Sequence, residues 1–228
     1  MTVTLVTGAN KGLGYETARR LIEQGHRVYI GARSAERGRA AATELGAQFV
    51  QLDVTDDASV ETALGLIAER EGHLDVLVNN AGISTVADVS GPEATRVFDT
   101  NVIGLIRVTQ AALPLLEKSD HPVVVNVSSA LGSFWAVTNP ERRQFHFPSV
   151  IYGSSKAAVS MLTVQYAKAL PAIKFNAVEP GFTATDLTPL SGAGQPVDIG
   201  AEVIVRMATI GKDGPTGTFQ EGETELGW

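Results

Sequence analysis

Short runs of β-branched and apolar residues alternate with longer stretches of helical period along most of the chain. VTLV near the start precedes a helix expected from about Leu13 to Gln24, and RVYIGA precedes one around Ala35 to Leu45. QFVQLDV reads as a third strand, Asp56 to about Glu71 as a helix capped by Thr55 or Asp56, and LDVLVNN as a fourth strand. These runs carry little polar alternation, which predicts burial on both faces of a parallel sheet. Farther on, PEATRVFDTNVIGLIRVTQAALPLLEK predicts a long helix, PVVVNVSS a strand, SVIYGSSKAAVSMLTVQYAKAL a second long helix, and IKFNAVEPG another strand. Repeated βα units with right-handed crossovers predict an α/β fold: a single-domain Rossmann fold over residues 1–228, with a doubly wound parallel sheet and helices on both faces.

One segment breaks the rhythm. Residues 130–149, ALGSFWAVTNPERRQFHFPS, form an extended loop between a strand and a helix, where a few residues normally suffice. Its Phe134, Trp135, Phe145 and Phe147 can line an apolar pocket, and Asn139 to Arg143 reads as a polar turn or short helix.

Composition narrows the function classes. The 44% apolar and 19% charged shares are those of a globular protein, and a formal charge of −7 argues against a general nucleic-acid or acidic-membrane surface. There is no cysteine, which excludes disulfides, thiolate catalysis and thiolate metal sites. No apolar run reaches the roughly 18 residues of a membrane span, and MTVTLVTGANKG lacks the pattern of a secretory signal, so a cytoplasmic protein is expected. The four histidines, His26, His73, His121 and His146, show no metal-ligand spacing, and no G-x-S-x-G elbow supports a hydrolase.

The first strand runs into TGANKGLG, with Gly8, Gly12 and Gly14 at the turn into a helix. Glycine allows the tight turn and the close approach of a pyrophosphate to the free amides of a helix N-terminus. The spacing differs from GxGxxG, and the alternative is a purely structural βα turn. After the second strand, where an NAD-preferring fold places an acid on the ribose hydroxyls, the chain has Ala32 and Arg33. Arg33 can make a bidentate contact to a 2′-phosphate and Lys11 can add a second cation, which predicts NADP(H) as cofactor. Asp53 can face an adenine amino group or cap the next helix with Thr55. Asn80, Ala81 and Gly82 let the backbone lie against a cofactor, while Asn79 can brace neighbouring strands.

Tyr152 and Lys156 stand four apart on a helix and so share a face. A tyrosine of pKa near 10 exchanges protons poorly at neutral pH, and a nearby ammonium would favour phenolate and bring that pKa down. The pair is then an acid and the cation that tunes it; the alternative is an ordinary surface pair.

In order and spacing, TGANKGLG, LDVTD, NNAG, NVSS, YGSSK and EPGFTATD resemble the short-chain dehydrogenase/reductase family over nearly the whole chain. GANKG, GARSAERG and the lengthened segment before the tyrosine look like its carbonyl-reductase branch. The resemblance implies catalytic roles for Asn101, Ser129, Tyr152 and Lys156, with Ser128 structural. Asn101 would complete a proton relay from Lys156, through its helix backbone or a bound water. It also implies a cofactor site of Gly8, Asn10, Lys11, Gly12, Leu13, Gly14, Arg33, Asp53, Val54, Asn80, Ala81, Gly82, Tyr152, Lys156, Pro180, Gly181, Thr183 and Thr185. The implied activity is hydride transfer between NADP(H) and a small-molecule carbonyl or secondary alcohol. An NADP(H)-binding sensor without turnover is the alternative, and either a homo-oligomer or a monomer is compatible. The stretch from Ser129 to Tyr152 is longer than the usual form, GTFQEGE is short for a last strand and its turn, and DLTPLSGAGQPVD is brief for a substrate lid.

Overall fold

Eight strands form one sheet in the order β3-β2-β1-β4-β5-β6-β7-β8. The strands are β1 Val3–Thr7, β2 Arg27–Ala32, β3 Gln48–Gln51, β4 Val76–Asn79, β5 Val123–Val127, β6 Lys174–Glu179, β7 Phe219–Glu221 and β8 Thr224–Glu225. All neighbours pair in parallel except β7 and β8. The computed structural model describes residues 1–85, 89–187 and 194–228; part of the stretch expected as a short lid, residues 188–193, therefore lies outside the described residues. The order reverses between β1 and β4, and at such a point the strands' carboxyl ends open a crevice.

Helices cover both faces. They are α1 Gly12–Glu23, α2 Ala35–Leu45, α3 Asp57–Glu71, α4 Gly91–Phe98, α5 Gly104–Leu116, α6 Phe134–Thr138, α7 Val150–Ala169 and α8 Val197–Ala208. Successive strand residues point to opposite sides, and both sides are apolar. Leu5, Leu77, Val124 and Phe175 join one buried cluster with Ile67, Val108 and Leu116, whereas Val6, Val78, Val125 and Val178 join another with Leu21, Ile204 and Met207. Each fully buried side chain of this size contributes roughly 1.5–3 kcal/mol. The lack of polar alternation thus has the cause the sequence suggested.

Three local expectations change. The third strand ends at Gln51, because Asp53 turns back to accept from the amide and hydroxyl of Thr55, at 3.0 and 2.7 Å. The expected long helix is interrupted by a π-helical turn, Asp99–Ile103, between α4 and α5. Segment 130–149 is not a plain loop: it folds as a 3₁₀ turn at Ala130–Gly132, α6, and a second 3₁₀ turn at Arg143–His146. Residues far along the chain hold it. Trp135 donates its amide to the Trp228 carbonyl at 2.9 Å, Ser133 Oγ donates to Gly227 O at 2.6 Å, and Arg142 pairs with Glu221 at 2.5 Å.

Candidate active site

At the C-terminal end of β1 the chain turns through Gly8, Asn10, Lys11, Gly12 and Leu13 into α1. Gly8 and Gly12 have φ of +66° and +57°, a region that favours glycine. Lys11 occupies the N-cap position without a side-chain cap, and the first turn of α1 holds no acid, so its amides and positive dipole end suit an anion. Asn80 braces this loop: Nδ2 donates to Thr7 O at 2.8 Å and Gly8 O at 3.3 Å. The Thr7 hydroxyl accepts from the amides of Asn80 and Ala81, at 3.0 and 2.9 Å. The amide of Asn80 is thus committed to holding the turn, with Gly14 packed close beneath it.

Segment 180–186 arches across the same loop. A Cβ on Gly12 would lie 3.5 Å from Cγ2 of Thr185, and Lys11 Nζ pairs with Asp186. The Lys11 hydrogen bond, and to a lesser degree the charge of Arg37, holds the Asp186 carboxyl below its ordinary range. Arg33, at the end of β2, is exposed, and among the described residues its guanidinium makes no ion pair. Arg37 was not expected at this end of the site; as one charge in a polar helix start, it carried no motif signal. Val54, beside Asp53, is buried against Gly104.

These features fit a dinucleotide. The glycine turn leaves room for close backbone approach, the uncapped helix end matches a pyrophosphate, and an exposed Arg33 stands at the end of the second strand, where an acid is lacking.

The other end of the site lies where β4, β5 and β6 terminate. Ser128 and Ser129 follow β5, and their roles separate clearly. Ser128 is buried, donates to Lys156 O at 3.0 Å and shares a hydrogen bond with Ser160 at 2.9 Å. Ser129, half-buried, caps the 3₁₀ turn, its Oγ accepting from the Leu131 amide at 3.3 Å, and lies beside the Tyr152 hydroxyl. Lys156 comes from the same face of α7 as Tyr152, with Nζ 5.6 Å from the Tyr152 ring centre, and donates to Val127 O at 2.7 Å. A Cβ on Gly132 would lie 2.4 Å from the Lys156 carbonyl carbon, so the 3₁₀ turn presses directly on α7 at this residue.

The Tyr152 phenol, expected to come down beside Lys156, is displaced upward: loss of water around the hydroxyl, and then the charge of Glu179, push it up, against the downward pull of neighbouring Ser129. Lys156 itself is lowered to about 8, because burial disfavours the ammonium more than Glu179 favours it. The side chain of Asn101, on the π-turn, is fully engaged. Oδ1 accepts from Ile83 N at 2.8 Å, while Nδ2 donates to Ile83 O at 2.9 Å and to Ser155 Oγ at 3.0 Å. It therefore fixes the chain just after Gly82, and any relay by Asn101 falls to its backbone, in a turn where the α-helical bonding pattern is broken.

Pro180 and Gly181 follow β6. Gln195 Nε2 and Thr183 Oγ1 donate to Pro180 O, at 2.5 and 3.3 Å, and fix the turn. Glu179, at the end of β6, is a second residue sequence reasoning missed: it is buried beside Ser129, and a lone acid before Pro-Gly reads as an exposed strand end. The aromatic side chains of Phe134, Trp135, Phe145 and Phe147 are exposed, together with Phe182 after Gly181. No group of three or more potential metal ligands occurs among the described residues, and no helix among them is long and apolar enough to cross a membrane.

A doubly wound sheet, a glycine turn at its first strand and a tyrosine–lysine pair at its carboxyl edge define a nicotinamide-dependent oxidoreductase of the dinucleotide-binding α/β class. The chain belongs to the short-chain dehydrogenase family, whose description, short chain dehydrogenase, matches residues 2–195. It is 31% identical to a (+)-neomenthol dehydrogenase of Capsicum annuum, with 94% of each chain covered. It is 30% identical to salutaridine reductase of Papaver bracteatum, covering 97% of this chain and 94% of that protein. The NADPH-bound carbonyl reductase from chicken fatty liver superposes with a TM-score of 0.86 at 26% identity, over 100% of both chains.

Proposed function

We propose that this oxidoreductase uses NADP(H) and reduces a ketone or aldehyde, or in reverse oxidises a secondary alcohol. The observation that carries the proposal is the convergence of Ser129, Tyr152 and Lys156 at one end of the site, with Lys11 and Arg37 about Asp186 at the other and Arg33 exposed at the end of β2. A bound reduced nicotinamide supplies the hydride. Tyr152, neutral at physiological pH, gives its proton to the developing oxyanion, and Ser129 orients the carbonyl oxygen beside it. Lys156 anchors the cofactor ribose, and its lowered pKa lets it exchange a proton near neutral pH. Asn101 keeps the chain at Gly82 in place. At the far end Arg33, Arg37 and Lys11 hold a 2′-phosphate, the glycine turn and Thr185 the pyrophosphate, and Asp53 the adenine amino group through its second carboxylate oxygen. Similarity to a carbonyl reductase described with NADPH bound supports this choice of cofactor. The exposed aromatic side chains between Phe134 and Phe147 favour an apolar or aromatic substrate.

A panel of ketones and aldehydes assayed for NADPH and NADH oxidation tests the reading. Turnover with NADPH is expected, and Tyr152→Phe is expected to keep NADPH binding while losing roughly 10²–10⁴-fold in kcat, the range of a positioned general acid. Tight NADPH binding with no turnover across the panel would favour the sensor instead. Arg33→Ala should raise KM for NADPH about tenfold, equivalent to about 1.4 kcal/mol, and leave KM for NADH unchanged.

A further inference from the structure

Lys156 and Glu179 are the only charged side chains deeply buried among the described residues, and the proposed chemistry uses only the first. An isolated buried carboxylate is costly, so the neighbours of Glu179 must account for its position. Its two oxygens are held by amides on two different turns. Oε2 accepts from Ala130, in the turn that follows Ser129, and Oε1 accepts from Gly181 at 2.9 Å. Ser129, next in the chain to Ala130, stands beside both this carboxylate and Tyr152. Tyr152 and Lys156 face Glu179 from α7. Glu221 stands beside it in register on β7, its own charge paired with Arg142. The two amides favour the ionised form of Glu179, while burial first, and then the Glu221 charge, displace its pKa upward overall.

We propose that Glu179 is a positioning residue for the reaction proposed above: it ties the turn bearing Ser129 to the Pro180–Gly181 turn and, as a carboxylate, keeps Tyr152 a neutral proton donor. A negative charge close to a phenol in a poorly solvated site disfavours phenolate, in keeping with the upward displacement of Tyr152 by Glu179. The inference rests on Tyr152 acting as the acid, so its test includes a measurement that needs no turnover.

Ultraviolet difference absorbance of the phenolate, taken for each variant against its Tyr152→Phe partner, isolates the titration of Tyr152. In Glu179→Gln this titration is expected to move to lower pH by about half a pH unit or more. The basic limb of the kcat/KM profile for carbonyl reduction is expected to move with it, and kcat to fall at least about tenfold with KM for NADPH within about threefold. A folded Glu179→Gln protein with the wild-type Tyr152 titration overturns the inference, even where no carbonyl compound is reduced; absence of turnover in the wild type overturns only the proposed function. Gln can accept from one turn while its NH₂ faces the donor of the other, so this variant can fail to fold. Glu179→Asp then carries the test: it keeps the charge and shortens the reach, so an unmoved Tyr152 titration with a tenfold loss in kcat is expected. A phenolate formed at lower pH, or an unchanged kcat, in Glu179→Asp would refute the role.

Discussion

Lys156 lies between the end of β5 and the Tyr152 ring, its ammonium on the Val127 carbonyl and its pKa lowered to about 8 from an ordinary 10.5. Between those two values the unfolded chain holds a proton that the folded chain has released. Stability contributed by this residue therefore rises as pH increases from about 8 toward 10.5, and its cost is fully present below 8. Denaturant midpoints at pH 7.5 and 9.5 should show this rise in the wild type relative to Lys156→Met, in which it is absent. The residue pair at its centre was readable in the sequence, since a spacing of four guarantees a shared helix face. Glu179 was not readable, because its burial depends on a turn that begins fifty residues earlier. Arg37 was hidden for a different reason: a cation in a polar helix start gains meaning only from what segment 180–186 brings beside it.

Helix α7 is placed by contact with the 3₁₀ turn at Ala130–Gly132, and Gly132 is what lets the two meet. A methyl group there would meet the backbone of Lys156 and Ala157 rather than a flexible side-chain tip. Gly132→Ala is expected to lower Tm by roughly 3–10 °C, following the cost of overpacking, and to reduce kcat by displacing Lys156; a melting curve and kinetics on one sample check both. Across the sheet, Asn79 Nδ2 donates to Asn126 Oδ1 at 2.9 Å and to Thr109 Oγ1 at 3.0 Å, and Asn126 Nδ2 donates to Thr163 Oγ1 at 2.9 Å. This chain fastens α5 and α7 to β4 and β5, the bracing role expected for Asn79. Asn79→Ala leaves buried partners unsatisfied and should cost about 1–3 kcal/mol by chemical denaturation. Helices and strands were legible because their period and burial are local properties. Segment 130–149 was legible only as an irregularity, since the groups that shape it, Glu221, Gly227 and Trp228, are remote in sequence.

For the molecule as a whole, a charge of −7 repels an anionic cofactor at long range, and the proposed function sets Lys11, Arg33 and Arg37 against that repulsion at short range. Raising salt from about 0.05 to 0.5 M should screen the exposed guanidinium and ammonium groups and weaken NADPH binding more than NADH binding, measurable by calorimetry with both cofactors. The layered architecture followed from the sequence because two-sided burial suppresses alternation in every parallel strand. The interruption at Asp99–Ile103 did not, because DTNVI continues a helical pattern without a break. That turn is equivalent to a helix with one residue inserted, and each residue of an α-helix advances the chain by roughly 100°. Deleting Thr100 would return the run to a plain α-helix and swing α4 by about that angle relative to α5, carrying Val97 out of the interior or Asn101 away from Ile83. In this stretch an added or lost residue alters the site more than a conservative substitution would, so chain length here is itself a functional character.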